Sequence, residues 1–595
     1  MEQEIRNCQN CKQKFTIEPE DFAFYDKMKV PAPTFCSECR FQRRLMFRND
    51  RSLYKRKCDL CNKNILAVFS PDKQYKVYCS SCWWSDKWDA LDFGQDYDPN
   101  KSFFKQFKEL QIKVPFMNLV VEYQSLINSE YVNYAGYLKN CYLVFSADSS
   151  ENCSYMQQID KCKDSMDGIF ITQSELSYEI INSHKCFQIY FSEDCSDCVN
   201  VWFSKNLIGC SDCFGCINLR NKKYHFLNKQ LSKEEYDKKI KELNIDSFKE
   251  LTNIKSDILK FWAAYPQKFI HGIRNDNISG DYINNSKNVL NSYSAKDSEN
   301  GKYLQFITMK PVKDSYDYTE WGNNAQKIYE CITAGKNVNN IKFSCACWSN
   351  NINIEYSLLT LSSSDCFGCV GIRKKQYCIL NKQYSKLEYE KLREKIIQDM
   401  EKNPYIDSKG RIYKYGEFFP YDFSLFDYNE TTAMQYFPLS KNEADKKGFR
   451  WREQEKKDYQ ISIKSEDLPD NIKDTPDSII KEIIECVHKE ECGEQCASAF
   501  RILPQELEFY KRAGLPLPRL CPNCRHYQRL KRMNSFKLYK KQCQCSGTQS
   551  DNQIYQNTIK HFHEENHCPN EFETAYMSEQ PQIIYCEKCY QAEVV

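Results

Sequence analysis

Between Tyr131 and Cys216, short β-branched or aromatic runs alternate with polar turns that end in Asn, Asp, Ser or Lys before Cys. Examples are Lys139-Asn-Cys141, Glu151-Asn-Cys153, His184-Lys-Cys186, Ser196-Asp-Cys198 and Ser211-Asp-Cys213. Cys141 to Cys153, Cys186 to Cys198 and Cys198 to Cys210 repeat one spacing of a dozen positions. Short strands at regular spacing predict all-β structure. A near-constant period with recurring residues at one corner predicts a β-solenoid, each coil covering the edge of the last. A sandwich or barrel with a coincidental period is the alternative.

The texture returns from about Asp281 to Cys369 with fewer cysteines. The copies align at one constant offset: Ser211-Asp-Cys-Phe-Gly-Cys216 recurs as Ser364-Asp-Cys-Phe-Gly-Cys369, and the register holds through Arg220/Arg373, Tyr224/Tyr377 and Tyr236/Tyr389. Ser232 with Glu235, and Ser385 with Glu388, have capping-box spacing, which ends each copy in a helix. Residues 240 to 275 read as a helical connector. An aromatic stretch from Tyr413 to Pro438 suits partner docking and precedes a helix predicted from Ser440, capped by Glu443 and stopped by Gly448. The charged, Pro-punctuated tract from Glu453 to Asp477 reads as a linker.

A second duplication joins the ends. The interval from Cys11 to Cys36 equals that from Cys496 to Cys521, and the interval from Cys39 to Cys58 equals that from Cys524 to Cys543. In each copy a Phe-Tyr pair (Phe24-Tyr25, Phe509-Tyr510), a Pro-x-Pro and a Cys-x-x-Cys-Arg follow in order. One module type opens the chain and closes it.

The chain has 595 residues, enough for several domains, with 83 basic and 81 acidic residues, so any nucleic-acid argument rests on local clusters. No apolar run approaches a membrane span, and the first residues have no apolar signal core, so a cytoplasmic protein with no membrane partner is expected. In a reducing compartment the 33 cysteines point to metal rather than disulfides. Zinc takes four thiolate or imidazole ligands, and a Cys-x-x-Cys knuckle presents two sulfurs to one ion. Sequential pairing gives Cys8, Cys11, Cys36 and Cys39 for one ion and Cys58, Cys61, Cys79 and Cys82 for another; a cross-braced exchange of pairs is the alternative. At the other end Cys492, Cys496, Cys521 and Cys524 form a third set, with Cys486 and His488 in reserve. Cys543, Cys545, Cys586 and Cys589 form a fourth, split by an insertion whose His561, His563, His567 or Cys568 could replace a weak ligand. Two to four structural Zn²⁺ ions are therefore expected.

The pattern carried by Cys8, Cys11, Phe15, Phe24, Tyr25, Cys36, Cys39 and Arg40, and more loosely by Cys496, Phe500, Phe509, Tyr510, Cys521, Cys524 and Arg525, resembles the zinc-ribbon, treble-clef family of uncharacterised bacterial proteins. The ending Tyr585-Cys-Glu-Lys-Cys-Tyr590 is similar to that of longer members. The resemblance covers roughly a third of the chain and implies zinc binding and a small knuckle-plus-helix fold, with no activity. The expected fold class is multidomain and mainly β, with tandem β-solenoid repeats flanked by terminal zinc-ribbon modules and short connecting helices. The expected domains are a double zinc ribbon (1–95), a first solenoid (120–230), a helical connector (231–275), a second solenoid (278–383), a capped helix, aromatic segment and linker (384–485), and a second double zinc ribbon (486–595).

Within the solenoids, Cys210-x-x-Cys213-x-x-Cys216 superficially matches an iron–sulfur run but lacks a fourth thiolate. A buried ladder of small side chains is the simpler reading, with zinc at Cys195/Cys198 as the alternative. Arg40, Arg43, Arg44, Arg48 and Arg51 cluster after the first module's Cys-x-x-Cys, and Arg525, Arg529, Lys531 and Arg532 occupy the equivalent place at the other end, with aromatics among them. Such segments neutralise phosphates and stack on bases. The expected function is a zinc-binding, non-enzymatic scaffold that grips RNA or a ribonucleoprotein. A protein-assembly factor with structural zinc is the alternative, and simple charge compensation a further reading. No catalytic motif is evident. A polysaccharide-active solenoid would need Asp164, Asp167 and Glu179, or Asp314, Asp317 and Glu320, stacked in a groove.

Overall fold

The computed structural model describes residues 2–453 and 459–594. It is mainly β, with two large parallel sheets at its centre and cysteine clusters at both ends. The first sheet runs in chain order through ten strands from Val132–Gly136 to Lys229–Gln230. Every pairing is parallel except the closing hairpin of Lys223–Phe226 with Lys229–Gln230. Partners keep the dozen-position spacing of the sequence: Val132 faces Val144, Ile169 faces Ile181, Val199 faces Ser211 and Ser211 faces Lys223.

The backbone explains that step. Every third residue from Tyr134 to Leu227 has positive φ, so four such residues recur within each dozen-position step between paired strands. The left-handed region costs an ordinary residue about 1–2 kcal/mol, least for Asn and Asp. Asn140, Asn152, Lys185, Asp197 and Asp212, the residues before the cysteines, all lie there. Stacked corners repay part of that cost by bonding to one another, as Asn128 does to Asn140 (3.1 Å), Asn140 to Asn152 (3.0 Å) and Asn152 to Asp164 (2.8 Å).

The residue after each corner points inward. From Cys141 to Cys216 every third position is buried, and Cys, Ser, Val and Ile dominate. The polar atoms at these buried positions are used. The Cys162 and Cys186 amides donate to Ser150 and Ser174 Oγ, a dozen positions earlier. The Cys162 thiol donates to the Asp160 and Ile171 carbonyls, and the Cys216 thiol to those of Phe214 and His225. Both sulfurs are buried and face backbone carbonyls.

The second sheet, thirteen strands from Gly272–Ile273 to Lys382–Gln383, is built likewise, but its strands are longer, as in Val312–Gly322. Its step varies, with Asp276 facing Lys287, Val289 facing Gly301, Val312 facing Ala325 and Ser298 facing Val312. Helices Lys233–Glu242 and Lys386–Lys402 close the two copies, each on its Ser/Glu capping box. Phe248–Ala263 forms the connector, and Lys441–Lys447 stops at Gly448 with φ 75°.

Two expectations are corrected. The aromatic segment after Tyr413 is core, not a docking surface: Phe419 stacks on Phe47 and Phe107, and Phe426 on Phe69, at centroid distances of 5.6, 4.8 and 5.3 Å. The expected linker includes residues 454–458, outside the described residues. Its later part packs, burying Leu468 and Ile472 on short 3₁₀ turns.

Candidate metal centres and arginine clamps

Four modules repeat one plan. A strand leads into a first cysteine whose amide donates to a carbonyl just beyond the second cysteine: Cys8 to Gln13, Cys58 to Lys63, Cys486 to Ser498 and Cys543 to Asn570. The chain returns in an antiparallel hairpin. The third cysteine then immediately precedes a helix, and its amide donates to the first cysteine's sulfur. These bonds are Cys36 to Cys8 (3.3 Å), Cys79 to Cys58 (3.2 Å), Cys521 to Cys486 (3.3 Å) and Cys586 to Cys543 (3.2 Å). The fourth cysteine lies in the first helical turn, where free N–H groups favour a thiolate.

The ligand atoms of each tetrad lie within 4.8 Å of one another: Cys8, Cys11, Cys36 and Cys39; Cys58, Cys61, Cys79 and Cys82; Cys486, Cys496, Cys521 and Cys524; and Cys543, Cys568, Cys586 and Cys589. Four sulfurs converging this closely, with amides already donating to them, suit a tetrahedral soft divalent ion such as zinc. The N-terminal grouping is sequential rather than cross-braced.

The C-terminal sets differ from expectation. Cys486 takes the place equivalent to Cys8 that had been given to Cys492, because a longer excursion separates it from Cys496. Cys492 remains adjacent, its sulfur 3.7 Å from that of Cys524. The signal was present, since Glu482-Ile-Ile-Glu-Cys486 repeats the Glu-Ile-x-x-Cys of Glu4-Ile-Arg-Asn-Cys8. In the fourth module Cys568, not Cys545, completes the tetrad, because the insertion falls inside the knuckle. Cys545 instead groups with His561, His563 and Cys589. His567 pairs with Asp551 at 3.0 Å, and His488 with Glu494 at 3.2 Å.

The basic residues turn inward. From the helix Ser37–Leu45, Arg40 and Arg44 both reach Asp317 on the second sheet, at 2.7 and 3.0 Å. Arg43 bonds Glu330 and Glu417, each at 3.1 Å, with its guanidinium over the Phe35 ring. From the helix Pro522–Lys531, Arg525 and Arg529 both reach Asp167 on the first sheet, at 3.2 and 2.9 Å. Each pair is spaced i, i+4, on one helical face, and closes on one carboxylate. Arg48 pairs with Asp50 at 2.7 Å and stacks on Tyr134. Arg532 pairs with Glu193, which burial opposes but Arg532 and Lys205 hold at about 2. Lys531, with an exposed side chain, reaches Glu494. Arg51 lies over the Phe145 ring and donates to Asn523 at 3.4 Å; burial and then Arg529 bring it down to about 10.

The expectation that these side chains face phosphate is therefore corrected for Arg40, Arg43, Arg44, Arg48, Arg525 and Arg529. Each is buried against protein carboxylates, most of them supplied by the sheets from far along the chain. The carboxylates considered for polysaccharide chemistry are taken up too. Asp167 and Asp317 bind the arginine pairs, Glu179 pairs with Lys255 at 2.7 Å, and Glu320 accepts from Gln158 at 2.6 Å. Asp164 and Asp314 accept from the asparagine ladders. Burial pushes Glu320 up to about 7, against the opposing pull of Arg48.

No protein-family model matches the chain, and no curated protein matches it. Among solved structures it is similar to a crystal structure of a protein from Desulfovibrio desulfuricans G20, at 10% identity and a TM-score of 0.09, covering 49% of this chain and 86% of that one. Among the described residues no helix is long and apolar enough to cross a membrane.

Proposed function

We propose that this chain is a zinc-stabilised assembly scaffold, in which terminal knuckle modules lock two β-solenoids into a fixed platform for protein partners. The constant step between paired strands and the corner at every third residue support the solenoid reading of the first sheet. The observation that carries the function is the doubled clamp, Arg40 and Arg44 on Asp317 and Arg525 and Arg529 on Asp167. The arginine pair rides on the helix that holds two of the four sulfurs, so metal binding and docking onto the sheet become one event. Thiolates held this way suit a reducing, cytoplasmic compartment.

RNA or ribonucleoprotein binding through the same cations is disfavoured, since phosphate would have to displace buried carboxylates. Retention of a single-stranded RNA by the zinc-loaded full chain, followed as salt rises, separates the readings. The scaffold reading expects R43E with R44E, or R529E with R532E, to lower the melting temperature and to leave RNA retention unchanged. Steeply salt-dependent retention, abolished by those replacements in protein that still melts normally, would restore the nucleic-acid reading.

A further inference from the structure

The fourth module holds more ligand atoms than one ion can use. Cys543, Cys568, Cys586 and Cys589 form its tetrad, and Cys545, His561, His563 and the same Cys589 form a second set of four within 4.8 Å. The Cys589 sulfur stands 3.7 Å from Cys568 Sγ on one side and 3.2 Å from His563 Nε2 on the other. Cys545 Sγ is 3.5 Å from His561 Nδ1. Three of the four atoms in each set belong to that set alone.

Both imidazoles are oriented as ligands. His561, buried, turns Nδ1 toward Cys545, while its Nε2 lies 2.9 Å from the Glu593 carboxylate. That carboxylate is itself fixed by the Thr558 amide and the Tyr555 hydroxyl. His563 turns Nε2 toward Cys589, while its Nδ1 lies 2.6 Å from the Asn566 carbonyl. In each ring the remote nitrogen, as N–H, donates to an anchored oxygen. This leaves the other nitrogen with its lone pair facing sulfur, the arrangement that fixes tautomer and angle in metal-bound histidines. Asn557 donates to Cys545 Sγ at 3.2 Å and Asn570 to Cys586 Sγ at 3.2 Å, so both sets also receive side-chain N–H groups.

We propose that this module binds two Zn²⁺ ions bridged by the Cys589 thiolate, one in the four-cysteine set and one in the set of two cysteines and two histidines. Charge supports the pair. A divalent ion with four thiolates leaves a buried formal charge of −2. A second divalent ion brings one further thiolate and two neutral imidazoles, so five thiolates and two ions leave −1. The insertion from Ser546 to His567 thereby gains a purpose, because it carries both histidines back over the knuckle to the shared sulfur. The first three tetrads would hold one ion each.

The proposal rests on the reading that the cysteine tetrads hold metal, and the test separates the two. Native mass spectrometry of the zinc-loaded full chain should count five ions. C36S combined with C79S should remove two, C545S or H563N one, and C589S two. If the N-terminal pair of replacements removes none, the tetrad reading itself fails. If it removes two while C545S and H563N each leave the count unchanged, the second ion is refuted. A measurement on unaltered protein covers the case in which variants fail to fold: with Co²⁺ in place of zinc, a bridging thiolate couples the two spins antiferromagnetically. Full cobalt loading should therefore give a magnetic moment per ion below that of isolated high-spin sites. Loading whose moment stays at the isolated-site value would overturn the bridge.

Discussion

Asp317→Asn is the sharpest probe of the N-terminal clamp. In the wild type Arg40, Arg43 and Arg44 face Asp317, Glu330 and Glu417, three cations against three anions, with the arginines and Glu330 fully or almost fully buried. The amide keeps the volume of the carboxylate but leaves one positive charge unbalanced. Removing one partner of a buried ion pair costs about 3–5 kcal/mol, chiefly because the remaining charge stays desolvated. That free energy corresponds to roughly a 10²–10⁴-fold larger opening constant. In a chain of several units a single melting temperature does not isolate this opening. Hydrogen exchange of zinc-saturated protein, read on peptides covering Ser37–Leu45, does. Those peptides should exchange faster by that factor, and peptides from Pro522–Lys531 should not change. Arg40→Met added to Asp317→Asn restores charge balance, so the double variant should be less open than the two single effects combined imply, by about 1–3 kcal/mol of coupling. Unchanged exchange in D317N, or strict additivity with R40M, would refute the claim that the arginines serve to dock the helix.

The companion variant Asp167→Asn should open Pro522–Lys531 and spare Ser37–Leu45 in the same assay. Cys486→Ser should remove one zinc from the full chain in native mass spectrometry, whereas Cys492→Ser should keep the count, because Cys486 stands where Cys8 does. Glu320 has a folded pKa of about 7, raised by burial above its ordinary value of 4.5, so the folded state holds a proton that the unfolded state releases. Stability from this group is present below pH 4.5 and is lost as pH rises toward 7, by at most roughly 3 kcal/mol. Glu320→Gln should flatten that decline in melting temperature between about pH 5 and pH 7.5; an unchanged slope would exclude Glu320 as its source.

The first sheet was legible because cysteine and serine recur among its buried every-third positions, which left them at a fixed spacing on the page. The corner residues showed as well, since Asn140, Asn152 and Asp197 tolerate a left-handed backbone that most side chains resist. The second sheet lost the signal because its longer strands and uneven step free the inward positions from one period. Sulfur pairing was readable wherever the knuckle kept two residues between cysteines, and failed at Cys486 and Cys568, where insertions entered the knuckle itself. The arginines were misread for another reason. A helix carrying Arg40, Arg43 and Arg44 shows its charge locally, while Asp317 lies 277 residues further on. Only the folded chain reveals that the charge is already answered.

That separation has a consequence for synthesis. A ribosome adding about 5–20 residues per second needs roughly 14–55 s after Arg40 emerges before Asp317 follows. Asp167, in contrast, waits through 358 further residues for Arg525. The N-terminal knuckles must therefore persist undocked while nascent, and the first sheet must keep an uncovered acid until Arg525 emerges. Early loading with metal would protect the leading module during this interval, whereas a prematurely terminated chain would display a bare aspartate where its seal should be, a ready mark for quality control.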